Sequence, residues 1–418
     1  MNYFYFSLLV IFATIIYRRR EYLLETAFIA VNTIFFLVIP LAILILDTDL
    51  QAAYLSRGFE VHNFAKQSIV ICTIFSLSFY ATVFISQLVF RSNRAGLPCS
   101  NDLKRINFHR IYSIGIFLGL VMRFIGGDIV HSSIYTLPWS LPSIYGISDH
   151  FYQVGVCCLF IDVFFNSLNR KNIPYVIFIL FYSIFSGSRI TLLIPLGVFI
   201  ILKLSSTKNF KSFFFCSVLI FLLIVLIIIF IGISRTDEIY NELNFQDIFY
   251  LVEFRMSDFV WPMALIDNLD QLNFEHNPIW LLTGLWGTLP SIFSTPFTEQ
   301  SIYARDTALM LEIGLGLESM SVPLTLVGEG YYWGAFYGVI VIGFISGISI
   351  KFIEFIVSKL RPVVSVITFA QMFRFIYVLP LAAFPELIAS ATKDLAVSIL
   401  VAYFFNWFIK FKVNNQCR

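Results

Sequence analysis

Two kinds of charged residue stand where they could do chemistry. The first is arginine. Arg189, Arg235 and Arg255 lie at, or just beyond, the ends of strongly apolar stretches. A guanidinium presents a planar fork of donors that matches phosphate, and it stays charged in a partly desolvated site. Arginines at that depth could hold the diphosphate of a lipid headgroup. Singly, each would serve equally by contacting anionic lipid or pairing with a local acid; as a set they favour phosphate. Arg374 lies inside an apolar stretch, 362–384, where a charge is costly and usually functional. Gln371 precedes it by one turn on the same helix face. Asp162, inside the stretch 150–168, is its candidate partner, and a buried structural ion pair is the alternative reading of Arg374.

The second kind is the acid. Asp237, Glu238, Glu253, Asp258, Asp267, Asp270, Glu275, Glu299, Asp306, Glu312, Glu318 and Glu329, with His276, all fall between 234 and 330. Deprotonating a hydroxyl needs a base, which a carboxylate or an imidazole can supply. Glu329 is the best placed, directly before an apolar stretch that opens Gly330-Tyr331-Tyr332-Trp333-Gly334. Alternatively it is a helix N-terminal acid facing the helix dipole. The candidate catalytic set is Glu329, Arg255 and Asp258. The candidate diphosphate-binding set is Arg189, Arg235, Arg255 and Arg374. No phosphate-loop glycine motif, His-Glu-x-x-His or Gly-x-Ser-x-Gly occurs, so no nucleotide-driven pump or zinc protease is indicated. No metal ligand spacing and no cofactor motif is present, and a net charge of +2 without a basic stripe indicates no nucleic-acid partner.

The elements that must position these residues are membrane helices. Of 418 residues, 58% are hydrophobic and 13% charged, against about 25% charged in soluble domains. About 20 apolar residues span a bilayer. Candidate spans are 2–17, 22–46, 68–90, 110–126, 150–168, 173–187, 190–204, 212–233, 331–356, 362–384 and 394–410. The stretch 173–204 reads either as one long helix or as two short ones joined at Ser186-Gly187-Ser188-Arg189, and two would put Arg170, Lys171, Lys203, Lys208 and Lys211 on one side. Basic residues collect in cytoplasmic loops. With Arg18, Arg19 and Arg20 following the first span, an uncleaved helix with its N-terminus outside is expected. That topology puts 19 of the 28 basic residues inside. Arg57, Lys66, Arg123, Arg189, Arg235, Arg255, Arg305 and Lys393 then lie outside. The expected fold is an all-α polytopic membrane protein of about eleven transmembrane helices. It divides into an N-terminal bundle (1–233), a large exported loop (234–330) and a C-terminal bundle (331–418). Within the loop, Pro278 to Trp286 is too short to span and is expected to form an interfacial or re-entrant helix. All six cysteines fall in helices or on the cytoplasmic side, so no disulfide framework is implied.

Four stretches, in this order, resemble the Wzy-type O-antigen and oligosaccharide repeat-unit polymerases. They are Phe185-Ser186-Gly187-Ser188-Arg189, Glu253-Phe254-Arg255-Met256-Ser257, and Gly287-Thr288-Leu289-Pro290-Ser291 followed by Pro296. The last is Pro323 to Gly338, which looks like the family's Gly-Glu-x-Tyr-x-x-x-Gly-x-x-Gly opening of a late helix. Ser291 departs from the basic residue expected after the loop proline. The resemblance implies a metal-independent glycosyltransferase in the bacterial inner membrane, with its site facing the periplasm. Its substrate would be an undecaprenyl-diphosphate-linked oligosaccharide, with membrane lipid around it and a chain-length regulator in the same membrane as a partner. The growing glycan would pass from its lipid diphosphate to the sugar of a new lipid-linked unit, with arginines holding the diphosphate. An O-antigen ligase shares this architecture and donor. A flippase for the same lipid-linked units is the reading from a different class, although an internal repeat, expected of a transporter, is not evident in the sequence.

Overall fold

The computed structural model describes residues 2–46, 61–90, 106–125, 142–186, 190–215, 219, 325–381, 387–388 and 390–416. Among these residues the fold is all-α and no strand occurs. The helices are α1 (Asn2–Arg19), α2 (Leu23–Thr33), α3 (Ile39–Leu46), α4 (Val61–Phe90), α5 (Phe108–Ile125), α6 (Pro142–Asn166), α7 (Ile173–Ser186), α8 (Ile190–Ser206), α9 (Thr325–Lys359), α10 (Pro362–Val378) and α11 (Leu395–Gln416). Among the described residues, four stretches are long and apolar enough to cross a membrane: Leu23–Ala42, Asn63–Leu88, Phe108–Ile125 and Thr325–Lys359. Large apolar side chains such as Leu88 (71% exposed) and Phe84 (67%) project from the flanks of the bundle, as lipid-facing positions do. The segments 173–186 and 190–206 form two helices, as their flanking charges suggest.

Local sequence explains where the helices start and bend. Pro142 and Pro362 stand at the first position of α6 and α10, where a missing N–H costs nothing. Asn107 caps α5 by accepting from the Arg110 N–H at 3.3 Å. Between α2 and α3 the helix widens into a π turn at Ile34–Val38. Pro40 lacks the N–H that would bond the Phe36 carbonyl, and the Ser68 hydroxyl of α4 donates to that carbonyl instead, at 3.1 Å. At the end of α10, Pro380 likewise cannot donate to Ile376, and the chain tightens into a 3₁₀ turn at Leu379–Leu381. The expected span 362–384 therefore ends as an α-helix at Val378, which places Arg374 in the last turns of α10 rather than at mid-span.

Two close helix pairs organise the bundle, and both use small residues. α5 lies on α6 with Gly115 against Gly155, where an added Cβ on Gly115 would fall 2.8 Å from the Gly155 Cα. α4 and α9 run side by side, and the Ser78 hydroxyl donates to the Ile340 carbonyl at 2.6 Å. α9 is itself broken. Gly334 and Ala335 leave helical geometry, and Ala335 has φ 48°. The chain doubles back there, so that Gly330 packs on Gly338 and Val339 with no room for a side chain at either glycine. The helix also begins at Thr325, six residues ahead of the expected span, and so takes in Glu329.

Candidate functional site

Four elements converge on one carboxylate. Arg123 lies in the last turn of α5. One turn before it, Gly119 is pressed on α6 so closely that a Cβ would lie 2.6 Å from the Tyr152 backbone nitrogen. This contact sets the Arg123 guanidinium 4.4 Å above the Tyr152 ring, an arrangement favourable for a cation over an aromatic face. From there Arg123 donates to Asp149 Oδ1 at 2.6 Å and to the Tyr182 hydroxyl of α7 at 2.9 Å. The other oxygen of Asp149 is paired with Arg374 of α10. Gln371, one turn earlier on α10, donates to the His150 carbonyl at 3.3 Å, which fixes the register of α10 on α6. Gln371 and Arg374 thus share a face, as their spacing indicates, and that face meets α6.

Arg123 and Asp149 are buried at 6% and 8% exposure, whereas the Arg374 side chain is 26% exposed. Two guanidiniums meet one carboxylate. Lys393 and Asp394 lie within electrostatic range and offset each other, so these five charges sum to an excess of one positive charge. Arg123 Nε, the Tyr152 hydroxyl, Gln153 Oε1 and Gln371 Oε1 are buried with no hydrogen-bond partner among the described residues. Among the described residues the site therefore carries two spare donors, Arg123 Nε and the Tyr152 hydroxyl, beside two amide oxygens that only accept, and one positive charge in excess, which suits an anion.

Asp162 is not the partner of Arg374. It lies on the same helix as Asp149 but thirteen residues further on, about 20 Å along the axis. There it accepts a 2.7 Å hydrogen bond from Asn166 and borders a cavity of about 400 Å³ with His109, Tyr112, Asn169 and Lys171. Asp149 was missed because it falls one residue before the apolar stretch 150–168, while α6 begins at Pro142. Arg123 is one of the eight outside basic residues. Its signal was a charge within the last turn of an apolar segment.

Glu329 is fully buried in the short first limb of α9, and its Oε2 accepts from Trp333 Nε1 at 2.9 Å. It sits in the second turn of that limb, not at the helix N-terminus. α9 ends at Lys359 and α10 begins at Pro362, so the two run in opposite directions and the start of α9, with Glu329, lies toward the end of α10 that carries Arg374. Arg189, Arg235, Arg255 and Asp258 lie outside the described residues, as does Pro278 to Trp286.

Comparison with known proteins adds no relative. No protein-family model, no curated protein and no solved structure matches this chain.

A second ionic cluster lies toward the other end of the bundle and differs in kind. Arg19 and Lys351 both bind Glu25, at 2.6 and 2.7 Å. Lys351 also binds Glu354 at 2.6 Å, and the Glu354 carboxylate accepts from the Glu25 backbone N–H at 3.1 Å. Tyr22 lies beneath both cations. Two acids meet two bases, and Glu25, Lys351 and Glu354 are buried. This neutral cluster ties α1, α2 and α9 together. Unlike the Arg123 cluster, it offers no charge to a ligand.

Proposed function

We propose that this chain is a membrane glycosyltransferase that polymerises oligosaccharide repeat units carried on a polyprenyl diphosphate, building O-antigen or a related surface polysaccharide. In this reading about eleven helices cross the bacterial inner membrane, with the end of the bundle that holds Arg123, Asp149 and Arg374 facing the periplasm. The observation that carries the reading is the positively charged cluster of Arg123, Asp149 and Arg374, half-open at Arg374, at the end of an apolar helical bundle. The resemblance of Pro323 to Gly338 to the polymerases' late-helix opening points the same way.

The chemistry asked of such a site is limited. The leaving group is a diphosphate, which departs by taking charge, so the main need is for fixed donors around it. Arg374 would contact the diphosphate directly, and Arg123, held by Tyr182 and Tyr152, would keep the site positive. Arg189, Arg235 and Arg255 would add further donors. Glu329 or Asp258 would take the proton from the acceptor hydroxyl.

Deletion of the gene in its host, with surface glycan resolved on a gel, tests the reading. Loss of long chains with a single repeat unit retained on each acceptor is the expected result. Loss of every repeat would mark a ligase or a flippase instead, and an unchanged glycan would overturn the proposal.

A further inference from the structure

We infer that Asp149 is a stand-in for phosphate: a tethered carboxylate that occupies Arg374 while the site is empty and yields it to the ligand's phosphate. This inference rests on the diphosphate reading of the site. It concerns what Arg374 pairs with before a ligand arrives.

The two arginines that share Asp149 are held very differently. Arg123 is fixed on three sides, by Asp149, by the Tyr182 hydroxyl and by the Tyr152 ring, and it is almost wholly buried. Arg374 has Asp149 as its one ion-pair partner among the described residues, beside a looser contact with the Phe375 ring at 5.6 Å, and a quarter of its side chain is open. One of the two can therefore leave the carboxylate and the other cannot. When Arg374 leaves, Asp149 keeps Arg123 and is not stranded. Arg374 for its part carries a planar fork of five N–H donors, more than one carboxylate oxygen can use. A phosphate, with more charge and more acceptor oxygens, can use that fork bidentately.

The geometry also accounts for an otherwise costly choice. A guanidinium that is three-quarters buried would be incompletely solvated without an anion. A permanent ion pair would solve that but would disable the arginine for ligand. A pair that is tight on one side and loose on the other keeps the empty site stable and leaves Arg374 recruitable. The apparent affinity is then lowered by the fraction of time Arg374 spends on Asp149.

The test is binding of inorganic pyrophosphate, and of a soluble prenyl diphosphate, to the full-length protein purified in detergent. Asp149→Asn removes the competitor while keeping the shape. If Arg374 is free about a tenth of the time in the unsubstituted protein, Asp149→Asn binds about tenfold more tightly. Arg374→Gln abolishes this gain. Because Asp149→Asn leaves Arg123 buried without its anion and can unfold the protein, the same comparison is made in an Arg123→Gln background. There Arg123→Gln/Asp149→Asn should bind more tightly than Arg123→Gln alone. Equal or weaker binding by the folded Asn variants, with unsubstituted protein still binding through Arg374, overturns the stand-in role and leaves the diphosphate site intact. Absence of binding by every variant, Arg374 present or not, overturns both.

Discussion

Arg123 and Arg374 share one carboxylate but are held differently, and their removal should separate stability from activity. Arg123→Ala strips a buried acid of its fixed partner, a loss of about 3–5 kcal/mol, and should be seen first as reduced abundance and a lower melting temperature. Arg374→Ala leaves Asp149 its bond to Arg123, so the loss should be well below that of Arg123→Ala and the protein should accumulate normally. Its chain extension should fall by about 10²–10³ if Arg374 meets the leaving diphosphate. Arg374→Lys should recover only part, because an ammonium lacks the bidentate fork. Asp162→Asn, about 20 Å away along α6, should leave extension unchanged. Normal-length polymer from an abundant Arg374→Ala protein would exclude the role given to that residue. Of this site, Arg374 and its one-turn relation to Gln371 were legible in the sequence, since a charge inside an apolar run is conspicuous. Asp149 was not, because Ser148, Asp149 and His150 interrupt the hydropathy of a helix that begins earlier, at Pro142. Pairing Arg374 with Asp162 followed from looking only inside the apolar window.

At the scale of the element, most helices could be read and their ends could not. Apolar runs and flanking lysines and arginines located α4, α5, α7, α8 and α11 well, because lipid demands long uninterrupted apolar segments. The ends are set by single residues acting through the backbone, such as Pro380 below α10 and Pro40 opposite Ser68. The fold-back of α9 is the clearest case. Gly330 and Gly338 touch, and Ala335 adopts φ 48°, a region where a side chain costs of order 1 kcal/mol or more. Ala335→Gly should therefore raise the melting temperature in detergent. Gly338→Val should lower it sharply, because its side chain would collide with the Gly330 carbonyl. If Gly338→Val is as stable as the unsubstituted protein, the limb that carries Glu329 does not pack as described. The cluster of Glu25, Arg19, Lys351 and Glu354 permits a similar test. Lys351→Met leaves two buried carboxylates facing one arginine and should cost about 3–5 kcal/mol. Adding Glu354→Gln should restore much of that loss, and a failure to restore it would mean that the charges are not coupled.

For the whole molecule, the central issue is which end of the bundle faces out. Charge counting puts Leu103 and Thr207 inside and Gln300 outside. A reporter active only outside the cytoplasm should then work at Gln300 and fail at Leu103 and Thr207, and activity at Thr207 would reverse the α7–α8 hairpin. Orientation alone does not establish the reaction. The most direct measurement is extension of lipid-diphosphate-linked repeat units by the purified full-length protein in detergent, with a metal chelator present and no nucleotide added. The account predicts a ladder of lengthened, still lipid-linked glycan from the unsubstituted protein and almost none from Arg374→Ala. No ladder with the chelator, together with full activity once metal is restored, or a ladder that survives Arg374→Ala undiminished, would contradict it.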